Sequence, residues 1–233
     1  MIRIDKLRFA WPNDDADCLA LDHLEVPAGK LLFLHGPSGS GKSTLLGLLA
    51  GVLLARQGTV ELLGLDWTAL WPSRRDARRA DHVGYIFQQF NLLPYLTALD
   101  NVLLPCRFSQ LRRARAVAQA GSALASAQSL LQRVGLNHAT WGKPASQLSV
   151  GQQQRVAAAR ALIGSPEVVI ADEPTSALDT ELRDAFMALL VAECRAAGSA
   201  LVFVSHDRQL AAHFDINVSL PDVNRAPQRE AAS

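Results

Sequence analysis

Gly36-Pro37-Ser38-Gly39-Ser40-Gly41-Lys42-Ser43-Thr44 is the stretch that decides the fold of this 233-residue chain. It matches the pattern G-x-x-x-x-G-K-[ST], in which glycines let backbone N–H groups turn toward phosphate oxygens. An apolar run, 31–35, precedes the stretch, and an apolar helical pattern, 43–54, follows it. The sequence therefore predicts a phosphate-binding loop between a strand and a helix, with Lys42 on the β- and γ-phosphates and the Ser43 hydroxyl on Mg²⁺.

A second stretch, Val168-Val169-Ile170-Ala171-Asp172-Glu173, ends an apolar strand pattern in two acids. In open α/β folds, ligands bind at the carboxyl ends of the strands. Asp172 is thereby placed to hold Mg²⁺, and Glu173 to orient or deprotonate a water molecule. The alternative is that both acids are solvated and open a loop before Pro174. The phosphate-loop pattern upstream favours the catalytic interpretation.

The rest of the chain alternates short apolar runs with helical patterns, which predicts a parallel sheet covered on both faces. Residues from about 90 to 150 interrupt this alternation with a helical subdomain, in which 112–134 has the pattern of one long helix. We predict one domain over residues 1–222 and a polar, flexible tail over 223–233.

Composition narrows the class of protein. The chain is 49% hydrophobic and 19% charged, so it is able to form a core, and its formal net charge is only +1, so we expect no nucleic-acid partner. Its three cysteines have no metal-binding spacing, which favours reduced thiols. The longest nearly apolar stretch, 45–55, is shorter than a membrane span, so any membrane role requires a partner.

Leu148-Ser149-Val150-Gly151-Gln152-Gln153-Gln154-Arg155 resembles the L-S-G-G-Q signature of ABC ATPases. Four other motifs of that family occur in the family's order. Trp11 resembles its aromatic residue that stacks on adenine, and Gln88 resembles its Q-loop glutamine. Residues 176–179, with Asp179, resemble its D-loop, and His206 resembles its switch histidine. The resemblance covers nearly the whole chain.

This resemblance implies an α/β phosphate-loop NTPase fold: an ABC-type ATPase core with a mainly parallel sheet, an N-terminal antiparallel β part and an inserted α-helical subdomain. It also implies a homodimer that encloses two ATP molecules, with Mg²⁺ as the second cofactor. In that picture the phosphate loop, 36–44, binds one ATP, and the signature of the other subunit covers it. The implied roles are ATP contact for Trp11, Ser149, Gly151, Gln152 and Asp179; metal binding for Ser43, Gln88 and Asp172; and catalysis for Lys42, Gln88, Glu173 and His206.

Three of these assignments have competitors. Phe9 competes with Trp11 for the aromatic role, and a histidine that ends a buried strand is often a satisfied polar group of the core. Val150 stands where the signature has its first glycine. Because a β-branched residue adopts a positive φ only at a cost, the sequence predicts strain there if relatives are left-handed at this position.

The stretch 87–102 is similar to the same region of ATPases of the macrolide-exporter and lipoprotein-releasing type. That likeness implies a separate permease with few membrane spans, and a cytoplasmic ATPase held at the inner face of the cell membrane. An exposed apolar patch of Phe90, Leu92, Leu93 and Tyr95 is the predicted permease contact. Packing inside the helical subdomain is the alternative for these four side chains.

Two other functions fit parts of the sequence. An ABC ATPase that regulates envelope enzymes without transport would have the same motifs. A soluble ABC ATPase of DNA repair or translation usually has long coiled-coil insertions or tandem ATPase domains, and this sequence has neither. Two arginine runs, 74–79 and 112–115, are interpreted as solvated helix faces, with contact to anionic lipid or to an acidic partner loop as the alternative.

Overall fold

The computed structural model describes residues 1–12, 14, 16–176 and 180–226. The strands in this part of the chain are β1 (Ile2–Phe9), β2 (Leu19–Val26), β3 (Leu31–His35), β4 (Gln57–Leu62), β5 (Leu65–Asp66), β6 (Val83–Ile86), β7 (Val168–Asp172), β8 (Ala200–Val204) and β9 (Ile216–Ser219). They form a parallel sheet in the order β6-β7-β8-β3-β9 and an antiparallel sheet in the order β2-β1-β4-β5.

The helices are α1 (Lys42–Leu49), α2 (Pro72–His82), α3 (Ala98–Phe108), α4 (Gln110–Ala120), α5 (Ala123–Arg133), α6 (Val150–Leu162), α7 (Thr180–Ala197) and α8 (Leu220–Val223). Helices α3, α4 and α5 are inserted between β6 and β7, two neighbouring strands of the parallel sheet. None of the helices among the described residues combines the length and the apolar content needed to cross a bilayer.

The parallel sheet is buried on both faces, because successive side chains of a strand point in opposite directions. In β3, Leu32 and Leu34 pack with α1 and the antiparallel sheet, whereas Leu31 and Phe33 pack with α6, α7 and the inserted helices. Strand β7 divides its residues between the two cores in the same way. The predicted architecture, a parallel sheet with an antiparallel part and inserted helices, is confirmed.

Two predicted helix boundaries are wrong. Helix α1 ends at Leu49, well before the predicted residue 54, because Gly51 has φ +67° and an added Cβ would lie 2.5 Å from the buried Trp67 ring. The pattern 112–134 is two helices and not one. Gly121, with φ +78°, ends α4, and the Ser122 side chain accepts a hydrogen bond from the Ala125 N–H to begin α5.

The chain after β9 is fastened to the antiparallel sheet. The Asn224 side chain accepts a hydrogen bond from the Ala20 N–H at 2.8 Å and donates one to Cys18 O at 3.1 Å. The Arg225 N–H donates to Ala20 O at 2.7 Å. The packed part of the chain thus continues past residue 223, where the sequence predicted the tail to begin.

Candidate active site

The phosphate loop connects β3 to α1 and has its glycines where the backbone needs them. Gly39 has φ +77° and Gly41 has φ +97°, a region that L side chains rarely adopt. An added Cβ at Gly41 would also lie 2.9 Å from Leu19 Cδ2. Gly41 precedes α1 without a side-chain cap, so the first N–H groups of the helix remain available to an anion.

Lys42 is nearly buried, and its side chain folds back over the loop. Its Nζ donates to Gly36 O and to Pro37 O, at 3.0 Å each, and lies 3.8 Å from Glu173 Oε1. Beside it, the buried Ser40 Oγ has no hydrogen-bond partner in the part of the chain that the structure describes. A buried hydroxyl of this kind is a donor that a phosphate oxygen would satisfy.

The two carboxylates stand at the carboxyl end of β7. Burial raises the pKa of Asp172, and the charge of Glu173 raises it further, whereas a hydrogen bond from Ser43 and the charge of Lys42 oppose the rise. Glu173 follows with φ +42°, in the left-handed region, and its N–H donates to Val204 O at 3.1 Å. Its carboxylate thereby turns toward the loop, although neighbouring side chains point to opposite faces in a regular strand.

Neighbouring strands deliver the other predicted catalytic residues to the same edge. His206 follows β8, is 69% exposed, and places its Nδ1 3.6 Å from Glu173 Oε2. Gln88 follows β6 and is exposed. Together with the carboxylates and the loop it lines a cleft of about 340 Å³, whose walls are Ser38, Gly39, Gly41, Lys42, Ser43, Thr44, Gln88, Asp172 and Glu173.

Trp11 lies outside this cleft, in a separate groove of about 610 Å³ that includes Leu53, Leu54 and Arg56. Its ring is 44% exposed and meets the Phe9 ring edge to face, with centroids 5.4 Å apart. Phe9 is 6% exposed and belongs to the core. Of the two aromatic candidates, Trp11 is therefore the one that offers a ring face at the surface.

The signature residues begin α6 and line no part of the phosphate cleft. Ser149 and Gln152 form a capping box, in which the Gln152 N–H donates to Ser149 Oγ and the Ser149 N–H donates to Gln152 Oε1. Val150 is the first residue of the helix, is 49% exposed and has no positive φ, so the expected strain is absent there. Gly151 also lacks a positive φ, and an added Cβ would have nothing within 4 Å. Asp179 lies outside the described residues.

The predicted apolar patch is partly wrong. Phe90 is only 6% exposed and belongs to the core, because φ +59° at Phe90 and +45° at Asn91 turn this segment inward. Leu92 packs against the same core, whereas Tyr95 is 74% exposed. An apolar groove of about 540 Å³ does lie nearby, between α2 and α3, and its lining includes Tyr85, Phe87, Leu104, Pro105 and Phe108.

Sequence reasoning missed Phe108, which is 77% exposed on α3, and two arginines that line the same groove, the buried Arg112 and the half-buried Arg160. The spacing of Leu104 and Phe108, four residues apart on one helix, could have indicated an apolar stripe. Arg112 contradicts the interpretation of its run as a solvated face, since it is 2% exposed.

Comparisons with known proteins show the family and the fold of the chain. The family model described as ABC transporter matches residues 20–176. The macrolide export ATP-binding/permease protein MacB of Shigella sonnei is 38% identical over 224 residues, which are 95% of this chain and 33% of that protein. The lipoprotein-releasing system ATP-binding protein LolD of Anaeromyxobacter dehalogenans is 44% identical over 199 residues, 85% of this chain and 80% of that protein.

The chain thus spans about a third of the length of the MacB relatives it matches. Among solved structures, the dimeric post-hydrolysis state of the ATP-binding cassette MJ0796 bound to ADP and Pi has a TM-score of 0.81 and 31% identity. The match covers 99% of this chain and all of that one.

Proposed function

This chain belongs to the ABC transporter family, and from that premise we propose that it binds and hydrolyses ATP as one of a pair of subunits that power a separate membrane permease. One observation carries the proposal: the phosphate loop, Asp172, Glu173, Gln88 and His206 converge at one edge of the parallel sheet. That edge is where open α/β folds bind ligands.

Within the cleft, the loop N–H groups and the α1 N-terminus would bind the phosphates, and Ser40 Oγ would gain the partner it lacks. Lys42 would exchange the two loop carbonyls for the β- and γ-phosphates. Trp11 would stack on the adenine, since its ring is partly exposed in its own groove. The cleft is therefore suited to a nucleoside triphosphate.

The Ser43 hydroxyl and the Asp172 carboxylate both line the cleft, and both are the hard oxygen ligands that Mg²⁺ prefers. With Gln88 they would hold the metal, which would neutralise charge on the transferred phosphate. No group of three His, Cys, Asp or Glu side chains that could hold a metal occurs among the described residues. A site with these few protein oxygen ligands fits Mg²⁺, which keeps water molecules and phosphate oxygens as most of its ligands.

Glu173 would orient and deprotonate the attacking water, because its carboxylate is held between Lys42 and His206. When Lys42 turns to the phosphates, the carboxylate loses one of these neighbours and becomes available to water. His206 would keep it in place and contact the γ-phosphate. Catalysis on this arrangement is mainly positioning and electrostatic stabilisation.

A second copy of the chain would complete the site. Nothing near Gly151 in its own subunit requires a glycine there, since an added Cβ would meet no atom within 4 Å. Val150 and Ser149 lie at an exposed helix N-terminus. That end of α6 would face the γ-phosphate held by the partner's loop, with Ser149, Gly151 and Gln152 as the contacting residues. Two such contacts, related by a two-fold axis, give a closed dimer with two ATP molecules.

The permease would dock in the groove between α2 and α3, with Phe87 and Phe108 as its exposed apolar contacts. The predicted contacts Leu93 and Tyr95 do not line this groove. This assignment replaces Phe90 and Leu92, which pack inward. The chain would then work in the cytoplasm, held at the inner face of the membrane by the permease.

Affinity purification of tagged Glu173→Gln protein from gently solubilised membranes with Mg-ATP tests this function. We expect a few-span permease to co-purify, and Phe108→Ser to abolish its recovery while ATP binding persists. Val117→Ser, which removes an exposed side chain of α4 that does not line the groove, is the matched control. Recovery of nucleic acid or of soluble proteins only would overturn the membrane assignment.

A further inference from the structure

Arg160, near the C-terminal end of α6, uses its guanidinium on a segment far from it in sequence. Its Nη1 donates to Asn91 O at 2.7 Å, and its Nη2 donates to Phe90 O. These two carbonyls belong to the Gln88 loop, which we define as residues 87–91. Both acceptor residues have positive φ, so the loop presents two successive carbonyls to one planar fork.

The side chain of Arg160 makes no ion pair within the described part of the chain, and burial lowers its pKa to about 10. It therefore remains cationic at neutral pH, and its side chain is half-buried. Partial burial of a cation is unfavourable unless its hydrogen bonds offset the loss of hydration, and the two carbonyls of the Gln88 loop supply those bonds. The fork to these carbonyls is therefore a specific reason for an arginine at this position.

The C-terminal end of α6 has a cap of its own, so Arg160 is not needed there. Arg112, from α4, donates through Nε to Ile163 O at 2.7 Å and through Nη2 to Ala161 O at 2.6 Å. Its charge suits the negative end of the helix. Gly84 lets β6 approach this end closely, since an added Cβ would lie 2.2 Å from Ala161 O.

Helix α6 also touches the other side of the cleft. Gln154, 2% exposed, donates from Nε2 to Pro174 O at 2.8 Å, directly after Glu173. The helix is therefore fixed to the strand end that carries the two acids and, through Arg160, to the loop that carries Gln88. Ser149 begins the same helix, about 16 Å from Arg160 along its axis.

We propose that Arg160 is a positioning residue for hydrolysis, which fastens the Gln88 loop to α6 so that Gln88 and the signature residues Ser149 and Gly151 move as one unit. The inference rests on the proposed function and adds the connection between its parts. Because Arg160 also lines the groove between α2 and α3, an occupant of that groove would act on the same connection.

The test compares Arg160→Lys with wild type in the full chain. Lysine keeps the charge but cannot span both carbonyls as a fork. We expect the KM for ATP to stay within about twofold and kcat to fall about tenfold, since the phosphate loop is untouched and only alignment is lost. Arg115→Lys is the matched control, because Arg115 also donates to a backbone carbonyl, Ser165 O, but does not touch the Gln88 loop.

Hydrogen exchange supplies a measurement that would not change if Arg160 had a purely structural role. In the Glu173→Gln background with Mg-ATP, residues 87–91 and 149–154 should gain protection together, and Arg160→Lys should separate them. Unchanged kcat per folded molecule, with only a lower Tm, would overturn the inference. If the lysine variant fails to fold, the same hydrogen-exchange measurement on the protein that keeps Arg160 is the test. Protection of the two segments independently of each other would then contradict the proposal. A wild type that does not bind ATP would overturn the proposed function as well.

Discussion

The phosphate cleft and the signature end of α6 are two parts of one proposed site, but they differ in how much of their chemistry is satisfied within the subunit. In the cleft, Lys42 contacts two carbonyls and Glu173, and Asp172 contacts Ser43. At the signature end, Gly151 has open space where a side chain would be, and Val150 is half exposed. The cleft is organised by contacts within its own subunit, whereas at the signature end Ser149 and Gln152 only cap their own helix and the space at Gly151 is open.

Because of this difference, single substitutions in the two regions should have different effects. Changes in the cleft should alter ATP binding or chemistry, and a change of the loop backbone should also lower the stability of the isolated subunit. Changes at the signature end should leave the subunit intact and act only when two subunits meet.

The largest effect is expected from Glu173→Gln, which removes the proposed base but keeps the size of the side chain. We expect kcat to fall about 10³-fold, with ATP affinity within about threefold of wild type, and a closed dimer to accumulate with Mg-ATP. Steady-state turnover and light scattering measure the two outcomes. Glu25→Gln, on the exposed edge of β2, is the control, and turnover at the wild-type rate in the Glu173 variant would remove that residue from the mechanism.

Lys42→Ala comes second, because it removes the cation that two phosphates would share. We expect the Kd for ATP to rise roughly 10- to 100-fold, since hydrogen bonds to a charged group contribute about 1.5–3 kcal/mol. Calorimetric titration with ATP measures this change. Lys30→Ala, which removes an exposed lysine before β3, should bind ATP normally, and unchanged affinity in Lys42→Ala would contradict the phosphate-loop assignment.

Gly151→Ala is the sharpest test of the comparison. The methyl group meets no atom of its own subunit within 4 Å, and the backbone is helical, so the free energy of unfolding should stay constant or rise by up to about 0.5 kcal/mol. ATP-induced dimerisation in the Glu173→Gln background should nevertheless weaken about tenfold, because the methyl group would occupy space needed by the partner's phosphate.

Gly41→Ala supplies the contrast, since its positive φ and the contact with Leu19 should destabilise the subunit by about 1–2 kcal/mol. Equal stability losses in Gly41→Ala and Gly151→Ala would erase the difference between the two regions. Chemical denaturation of each variant without nucleotide decides between these outcomes.

The smallest effect is expected from Asp172→Asn, which removes a carboxylate whose charge is unfavourable in the cleft. Burial raises the pKa of Asp172 in the folded state above its ordinary value of 3.8, so ionisation of this group opposes folding. The stability that protonated Asp172 contributes is fully present below its ordinary pKa of 3.8. It is lost as the pH rises through the pKa of the folded state. Asp172→Asn should therefore have a slightly higher Tm at pH 7, while Mg-dependent turnover is lost.

Melting curves from pH 3.5 to pH 8 would show the stability difference shrinking in acid, where both states of the wild type are protonated. Asp22→Asn, at an exposed position, should show no such trend. A lower Tm for Asp172→Asn across the whole range would contradict the unfavourable burial of that charge.

Much of the cleft could be predicted because its residues are short stretches in fixed local structures. The glycine pattern before Lys42 and the two acids after an apolar strand each specify their own geometry. The strand order β6-β7-β8 then brings Gln88, Glu173 and His206 to one edge, and the sequence contained this only through the alternation of strands and helices.

The errors lie where tertiary contacts overrule local pattern. The aromatic side chain of Phe90 looked exposed beside Leu93 and Tyr95, but two successive positive φ values turn it into the core. In the sequence, Arg112 looked like a charge of a solvated helix face, and Arg160 gave no signal. The reason is that their acceptors are backbone carbonyls tens of residues away. Hydrogen bonds to backbone leave no trace in the identity of the accepting residue.

The left-handed backbone of Glu173 has a consequence for how this sequence can change over generations. A non-glycine residue with φ +42° is strained by about 1 kcal/mol or more, so glycine or asparagine at this position would make a sturdier fold. A library screened only for heat resistance would accumulate those replacements and discard the carboxylate. We expect the acid to persist only where the proposed turnover is under selection, so the residue at position 173 would indicate whether a lineage still depends on hydrolysis.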